Sequence, residues 1–293
     1  PQVAPPELYK ILPAVPQDLV ELSNWIDTKE AQVEDLKKGN EGRIEFFDSI
    51  PQKTEYSVIY FHGFSASSEE GAPFHADVAK HFKANLYLPR LFGHGIGGEN
   101  PLRDFTADAY LESAREALAV AKTLGEKVIV LGTSNGGTLS LLLGTDPQIV
   151  LIGLFSPNIR IKDPNASLIT LPWGLNLASF VAGSDYHQMQ NVVSPKENFW
   201  TTRYHIQALT HVQKLLEVAM TPETFAKIKV PVFMGYYYKD EANQDDVVSV
   251  PAMLEMFEEL GTSAAQKEKM AFPETGDHVM TSYLTSKDVE SVT

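Results

Sequence analysis

The stretch KVIVLGTSNGGTLSLLL (Lys127–Leu143) decides the fold. Val128–Leu131 is a short continuous apolar run, which reads as a strand covered on both faces. GTSNG (Gly132–Gly136) follows at once and matches G-x-S-x-G. An apolar segment from about Asn135 to Leu143 reads as a helix. A serine on so tight a strand-to-helix turn has its hydroxyl pushed up out of the sheet, and Gly132 and Gly136 are required because side chains there would collide. The helix then points its N-terminus at Ser134, where it favours a developing oxyanion. A glycine-rich turn with an incidental serine is the bland alternative. The strand before it and the helix after it speak against that.

Outward from this turn the chain alternates. RIEFF (Arg43–Phe47), YSVIYF (Tyr56–Phe61), NLYL (Asn85–Leu88), IVLIGLF (Ile149–Phe155), VPVFMGYY (Val230–Tyr237) and KMAF (Lys269–Phe272) read as strands. PFHADVAKHF (Pro73–Phe82) reads as a helix. So does the segment that Thr106 caps and Gly125 ends, with Leu111, Ala114, Leu118 and Ala121 on one face. Strand–helix alternation with continuous apolar strands predicts an α/β fold built on a mostly parallel, doubly wound sheet. Before it, a proline-rich extended arm and a helix from about Gln17 to Lys38, stopped by Gly39, occupy residues 1–42. Residues 156–228 contain no convincing strand and interrupt the alternation. They read as an inserted, partly helical cap between two portions of the core, 43–155 and 229–293.

Composition narrows the function. With 38 acidic against 24 basic residues the formal charge is −14. That repels a nucleic-acid backbone or an anionic membrane surface. No apolar run approaches the length of a membrane span. The absence of cysteine removes disulfides, thiolate metal sites and a cysteine nucleophile. Pro1 in place of Met marks a processed or trimmed chain; whether a signal peptide or an anchor preceded it, and hence the compartment, stays open.

On the elbow GTSNG, the loop HGFSAS (His62–Ser67), the loop FGHG (Phe92–Gly95) and the histidine segment FPETGDHVM, the chain resembles the α/β-hydrolase family from about Arg43 to its end. The resemblance implies the α/β-hydrolase fold with a helical cap, and a nucleophile, an acid and a histidine in that chain order. Ser134 is then the nucleophile. His278, on the loop after the last strand, is the base; His187, His205 and His211 fall in the insertion and read as ordinary cap residues. The acid belongs on the loop after VPVFMGYY. Asp245 fits an acid followed by x-V-V-small, while Asp240, nearer the strand end, and Asp246 remain alternatives. The backbone N–H groups of Phe64 and Asn135 would form the oxyanion hole. His62 reads as a packing residue of that loop. The family often carries Asp where this chain has Arg90, which leaves the bracing of FGHG open and puts a positive charge near the sheet edge.

The resemblance implies hydrolysis of a small-molecule carboxylic ester with an apolar acyl group, of carboxylester or monoacylglycerol type, without cofactor or metal. Thioester, lactone or N-terminal peptide hydrolysis on the same fold is the alternative, and a catalytically silent binding protein the more distant one. GHGIGG (Gly93–Gly98) spells G-x-G-x-x-G, but Pro101 follows and no helix starts there, so a dinucleotide site is not expected. His75 and His81 are badly spaced for two metal ligands. The aromatic residues Trp173, Phe180, Tyr186, Phe199, Trp200 and Tyr204 of the insertion either roof the nucleophile or form the insertion's own core.

Overall fold

A computed structural model describes residues 3–189, 192 and 194–293. Pro1 and Gln2 of the expected arm, and Gln190, Asn191 and Val193 of the expected insertion, lie outside the described residues. Strands and helices follow in the predicted alternation. They are α1 (Leu19–Ala31), β1 (Arg43–Glu45), β2 (Thr54–Phe61), α2 (Phe74–His81), β3 (Asn85–Leu88), α3 (Ala107–Leu124), β4 (Gly125–Thr133), α4 (Asn135–Leu143) and β5 (Ile149–Phe155). Next come α5 (Gly174–Ala182), β6 (Tyr186–Gln188), α6 (Lys196–Phe199), β7 (Arg203–His205), α7 (Gln207–Ala219) and α8 (Pro222–Phe225). The chain closes with β8 (Val232–Tyr236), α9 (Val250–Glu259) and β9 (Lys267–Ala271).

Seven strands form one sheet in the order β1-β3-β2-β4-β5-β8-β9, with every neighbouring pair parallel except β1 with β3. The central strands bury both faces, as their continuous apolar runs require. Ile59, Phe61, Val128 and Val130 join the large core that also holds Leu111, Leu118, Leu139 and Val212. The alternating residues Val58, Tyr60, Ile129 and Leu131 join the smaller core on the opposite face, with Ala79 of α2. Parallel strands put all their C-terminal ends on one edge, and in open α/β sheets that edge carries the ligand site. The segments after β2, β4, β8 and β9 all emerge there.

Two local expectations are corrected. The first helix ends at Ala31 rather than near Lys38. Beyond it Asp35 takes a positive φ of 54°, Leu36 pairs with Ile96, and the Lys37 N–H donates to the Gly95 carbonyl at 2.9 Å. The apolar residues that extended the helical pattern thus serve a loop contact instead. The segment between β5 and β8 is not strand-free, because β6 and β7 pair antiparallel in a small separate sheet. Three-residue strands are too short to show a period of two in the sequence.

Thr106 caps α3 by accepting from the Ala109 N–H, and Gly125 follows its last residue. No helix among the described residues is long and apolar enough to cross a membrane.

Candidate active site

Ser134 stands between β4 and α4 with φ 55° and ψ −121°, a conformation costing an ordinary residue about 1–3 kcal/mol. The surroundings over-determine it. Its N–H donates to the Phe155 carbonyl at 3.0 Å, and its own carbonyl accepts from Gly137 and Asn158 at 2.9 Å each. The two glycines are indispensable for steric reasons. A Cβ on Gly132 would lie 2.4 Å from the Gly136 carbonyl oxygen, and one on Gly136 only 1.8 Å from that of Phe61.

His278 follows β9 and Asp245 follows β8. The structure brings the two together: His278 Nδ1 lies 2.6 Å from Asp245 Oδ2. A carboxylate only accepts, so the proton is on Nδ1 and Nε2 is left as the basic nitrogen. Nε2 is buried with no hydrogen-bond partner among the described residues. Asp245 is fully buried, and its Oδ1 accepts from the N–H groups of Val247 and Val248, both at 2.9 Å. Burial would raise the Asp245 carboxyl, but the His278 charge and hydrogen bond and the two backbone donors outweigh it and hold the group below its usual range. Burial pulls His278 down, yet Asp245, with Glu70 and Asp277, overcompensates and leaves it above an ordinary histidine.

Asp240, the alternative acid, is exposed and occupied locally. Its Oδ1 accepts from the N–H groups of Ala242 and Asn243 at 2.9 Å, closing a turn. Tyr238 pairs with Gln244 across that turn. The six residues Lys239–Gln244 therefore form a small excursion, closed where the Asp245 N–H donates to the Tyr237 carbonyl at 3.1 Å. Among the described residues His278 is ion-paired with Asp245 and not with Asp246. Asp277 caps the Val279 N–H at 2.9 Å.

The HGF loop is held by its own buried residues. His62 is fully buried; its Nε2 accepts from the Leu91 N–H at 3.3 Å, so its Nδ1–H donates to the Gly63 carbonyl at 2.9 Å. Burial lowers this histidine to about 4, so it is a neutral structural tie and no proton carrier. Neither the Phe64 N–H nor the Asn135 N–H has a protein acceptor among the described residues. The Phe64 ring packs edge-on against His94, Phe105 and Tyr204 at 5.2–5.5 Å. Arg90 braces FGHG after all: it donates to the His94 carbonyl and pairs with Glu30 at 2.7 Å, so its charge is neutralised.

From the insertion, the Thr201 N–H donates to the Ser65 carbonyl at 2.7 Å, and buried Trp200 packs with Ala66 and Val279. His187 stacks on Tyr204 at 5.1 Å, and His205 Nδ1 accepts from the Gln207 N–H. Trp173 and Phe180 instead are 51% and 84% exposed and do not fill a core. A crevice of about 410 Å³ beside Trp25 and Arg90 and a groove of about 730 Å³ beside Arg160 and Gln213 both lie away from Ser134. Among the described residues no cluster of His, Asp or Glu is arranged to hold a metal.

One residue escaped the sequence entirely. Glu70, in the turn after the HGF loop, is 2% exposed, and its Oε2 accepts from the Gly63 N–H at 2.6 Å and from the Tyr60 hydroxyl at 3.1 Å. SSEEG carries two adjacent glutamates in a polar run, and only the buried neighbours distinguish the second from a solvated one.

No protein-family model matches the chain, and no curated protein matches it either. Solved structures do. One is from work on LipS and LipT, two metagenome-derived lipolytic enzymes; it is 18% identical, with a TM-score of 0.69 over 88% of this chain and 95% of that one. A monoacylglycerol lipase from Paleococcus ferrophilus is 15% identical, with a TM-score of 0.58 over 86% and 95%. An enol-lactonase from Burkholderia xenovorans LB400 is 14% identical, with a TM-score of 0.52 over 87% and 93%. At such identities the likeness establishes a common fold, which is that of the α/β-hydrolases.

Proposed function

We propose that this chain, an α/β-hydrolase by fold, is a serine hydrolase of carboxylic esters. The observation that carries the reading is the state of His278. Its Nδ1–H is committed to a buried carboxylate at 2.6 Å, while Nε2 is basic, buried and without a hydrogen-bond partner among the described residues. That is the condition of a general base at rest.

In this reading Ser134 Oγ attacks the ester carbonyl carbon as His278 Nε2 takes its proton. The Phe64 and Asn135 N–H groups, free of protein acceptors, donate to the oxyanion of the tetrahedral intermediate. Asp245 holds the imidazole in the required tautomer and stabilises the imidazolium. Collapse expels the alcohol, which receives the proton from His278 and leaves an acyl-Ser134. Water, deprotonated by the same nitrogen, then attacks the acyl carbon, and collapse of the second tetrahedral intermediate releases the acid as Ser134 Oγ takes the proton back from His278. The steps use side chains, backbone amides and water alone.

Residues 156–228 act as the cap over this site; Thr201, Trp200 and Tyr204 are its contacts with the HGF loop and the His278 loop. An ester with an apolar acyl chain, a simple carboxylester or a monoacylglycerol, fits the aromatic surroundings of Phe64. The fold shared with lipolytic enzymes and a monoacylglycerol lipase supports the same choice.

A fluorophosphonate probe tests the reading. Wild type is expected to be labelled once and to lose ester hydrolysis on labelling, and Ser134→Ala to take no label. An unlabelled wild type, or equal labelling of Ser134→Ala, overturns it.

A further inference from the structure

Glu70 is a buried carboxyl that the mechanism above does not use. A carboxylate taken out of water is costly, and a glutamate needed only for packing is readily replaced by an apolar or amide side chain. Among the described residues Glu70 has no ion-pair partner within contact distance. All its hydrogen bonds run instead to the segments that build the site.

The first is the HGF loop, through the Gly63 N–H at 2.6 Å, a charge-assisted bond when Glu70 is ionised. The second is the nucleophile elbow. Tyr60 donates to Oε2, and the hydroxyls of Tyr60 and Thr133 lie 2.8 Å apart, so Thr133, the residue before Ser134, is the donor into that chain. The third is the His278 loop, where the Thr281 hydroxyl donates to the main-chain carbonyl of Glu70 at 3.1 Å, a bond of the backbone that fixes where the carboxyl starts. The carboxyl also flanks the nucleophile closely. A Cβ on Gly63 would lie 2.7 Å from Glu70 Oε1 and 3.1 Å from Ser134 Cβ, so both border the same point.

We propose that Glu70 is a positioning residue of the hydrolytic site: it fixes the Gly63 peptide, and with it the aim of the Phe64 N–H, and its ionised carboxylate favours the charged form of His278 in addition to Asp245. The inference rests on the hydrolase reading. The peptide after Gly63 carries the Phe64 N–H, so a Gly63 amide held at 2.6 Å limits how far that donor can swing. An oxyanion hole works through donors that need no reorganisation when charge develops.

The charged and titratable groups facing Glu70 are Tyr60 on β2, Tyr110 on α3, Lys196 on α6 and His278. Burial raises Glu70 to about 7, against the Gly63 N–H, the His278 charge, the Tyr60 hydroxyl and Lys196, which all favour the carboxylate. Glu70 therefore changes charge in the range where His278 works, and its ionised form raises His278.

The test compares Glu70→Gln and Glu70→Ala with wild type on p-nitrophenyl butyrate, with thermal melts to confirm folding and proton NMR of the His278 Nδ1–H across pH. Loss of a preorganised donor direction predicts that Glu70→Ala lowers kcat by about 10- to 100-fold with KM within about twofold. Glu70→Gln keeps an oxygen that accepts the Gly63 N–H, so it recovers most of that loss. It removes the charge, however, and moves the His278 titration and the acid limb of kcat/KM to lower pH. A merely structural glutamate would move neither.

A folded Glu70→Ala within about threefold of wild-type kcat overturns the positioning role. A folded Glu70→Gln with His278 titrating as in wild type overturns the electrostatic one. If Glu70→Ala does not fold, Glu70→Met, which fills the space but accepts nothing from the Gly63 N–H, takes its place, and a folded Glu70→Met within about threefold of wild-type kcat overturns the positioning role. If wild type neither hydrolyses esters nor takes the fluorophosphonate, the hydrolase reading falls, and the NMR titration still tests the coupling of Glu70 to His278.

Discussion

Asp245→Asn isolates the tautomer that the mechanism depends on. In wild type Oδ1 accepts two N–H groups, from Val247 and Val248, at 2.9 Å each, while Oδ2 faces His278 Nδ1 at 2.6 Å. An asparagine has one oxygen for these two places. Put toward His278, that oxygen would leave an NH2 against two buried N–H donors, at about 1–3 kcal/mol for each donor left unsatisfied. Put at the Oδ1 place, it keeps both bonds and turns the NH2 toward Nδ1. The second orientation wins by this margin. His278 must then accept at Nδ1 and carry its proton on Nε2, where it can no longer take the proton of Ser134. The fold and packing are retained, yet kcat is expected to fall by about 10³–10⁴, equivalent to about 4–5.5 kcal/mol of barrier. The assay is release of p-nitrophenol from an activated ester, with a thermal melt as control and Asp240→Asn in parallel. Asp240 closes an exposed turn and its variant should match wild type within about twofold. If Asp245→Asn keeps more than about a tenth of wild-type kcat while Asp240→Asn loses activity by orders of magnitude, the acid is misassigned and the tautomer argument fails.

Three further outcomes are expected. Gly136→Ala should yield no soluble folded protein, because its Cβ would lie 1.8 Å from a backbone oxygen of the neighbouring strand; Gly183→Ala, at φ 64° with nothing within 4 Å, should fold and lose about 1 kcal/mol by chemical denaturation. The kcat/KM profile should fall on the acid side as His278 protonates, with its midpoint above that of an ordinary histidine, since Asp245, Glu70 and Asp277 together outweigh the effect of burial; a midpoint below it would contradict the pairing. Glu70 should also set a pH trend in stability. Its folded pKa of about 7 lies above the unfolded 4.5, so the native state holds the extra proton between those values and stability declines as pH rises through that window; the melting temperature of Glu70→Gln relative to wild type should therefore climb from pH 4.5 to 7, and a flat difference would remove the raised pKa.

What the sequence discloses follows the range of the interactions. The elbow is legible because its constraints are local: a buried strand, two glycines that admit no Cβ, a serine and a helix start lie within a dozen residues. The central strands are legible for a related reason, since burial on both faces writes itself as unbroken apolar runs such as Val128–Leu131. Leu36 misleads because it fits the helical stripe yet pairs with Ile96, and only the loop it meets shows why the helix stops at Ala31. The strands of the insertion are missed because three residues hold no period. Asp245 is harder than Ser134, since a loop with several carboxylates states that an acid is available and not which one is buried.

Glu70 is the limiting case. Its contacts come from Gly63, Tyr60 and Thr281, which stand 7, 10 and 211 positions away in the chain. A property spread over such separations has no local pattern, because it exists only once β2, β4 and the segment after β9 end at the same edge of the sheet. The same geometry explains why it matters. Loops that meet at the end of a parallel sheet have no ladder hydrogen bonds to align them, so their relative positions depend on whatever side chains cross between them. A carboxyl accepts from several donors at once, whereas an apolar side chain fixes none of their directions. A buried glutamate at that junction exchanges some stability for alignment, and the pH dependence of both should change together when its charge is removed.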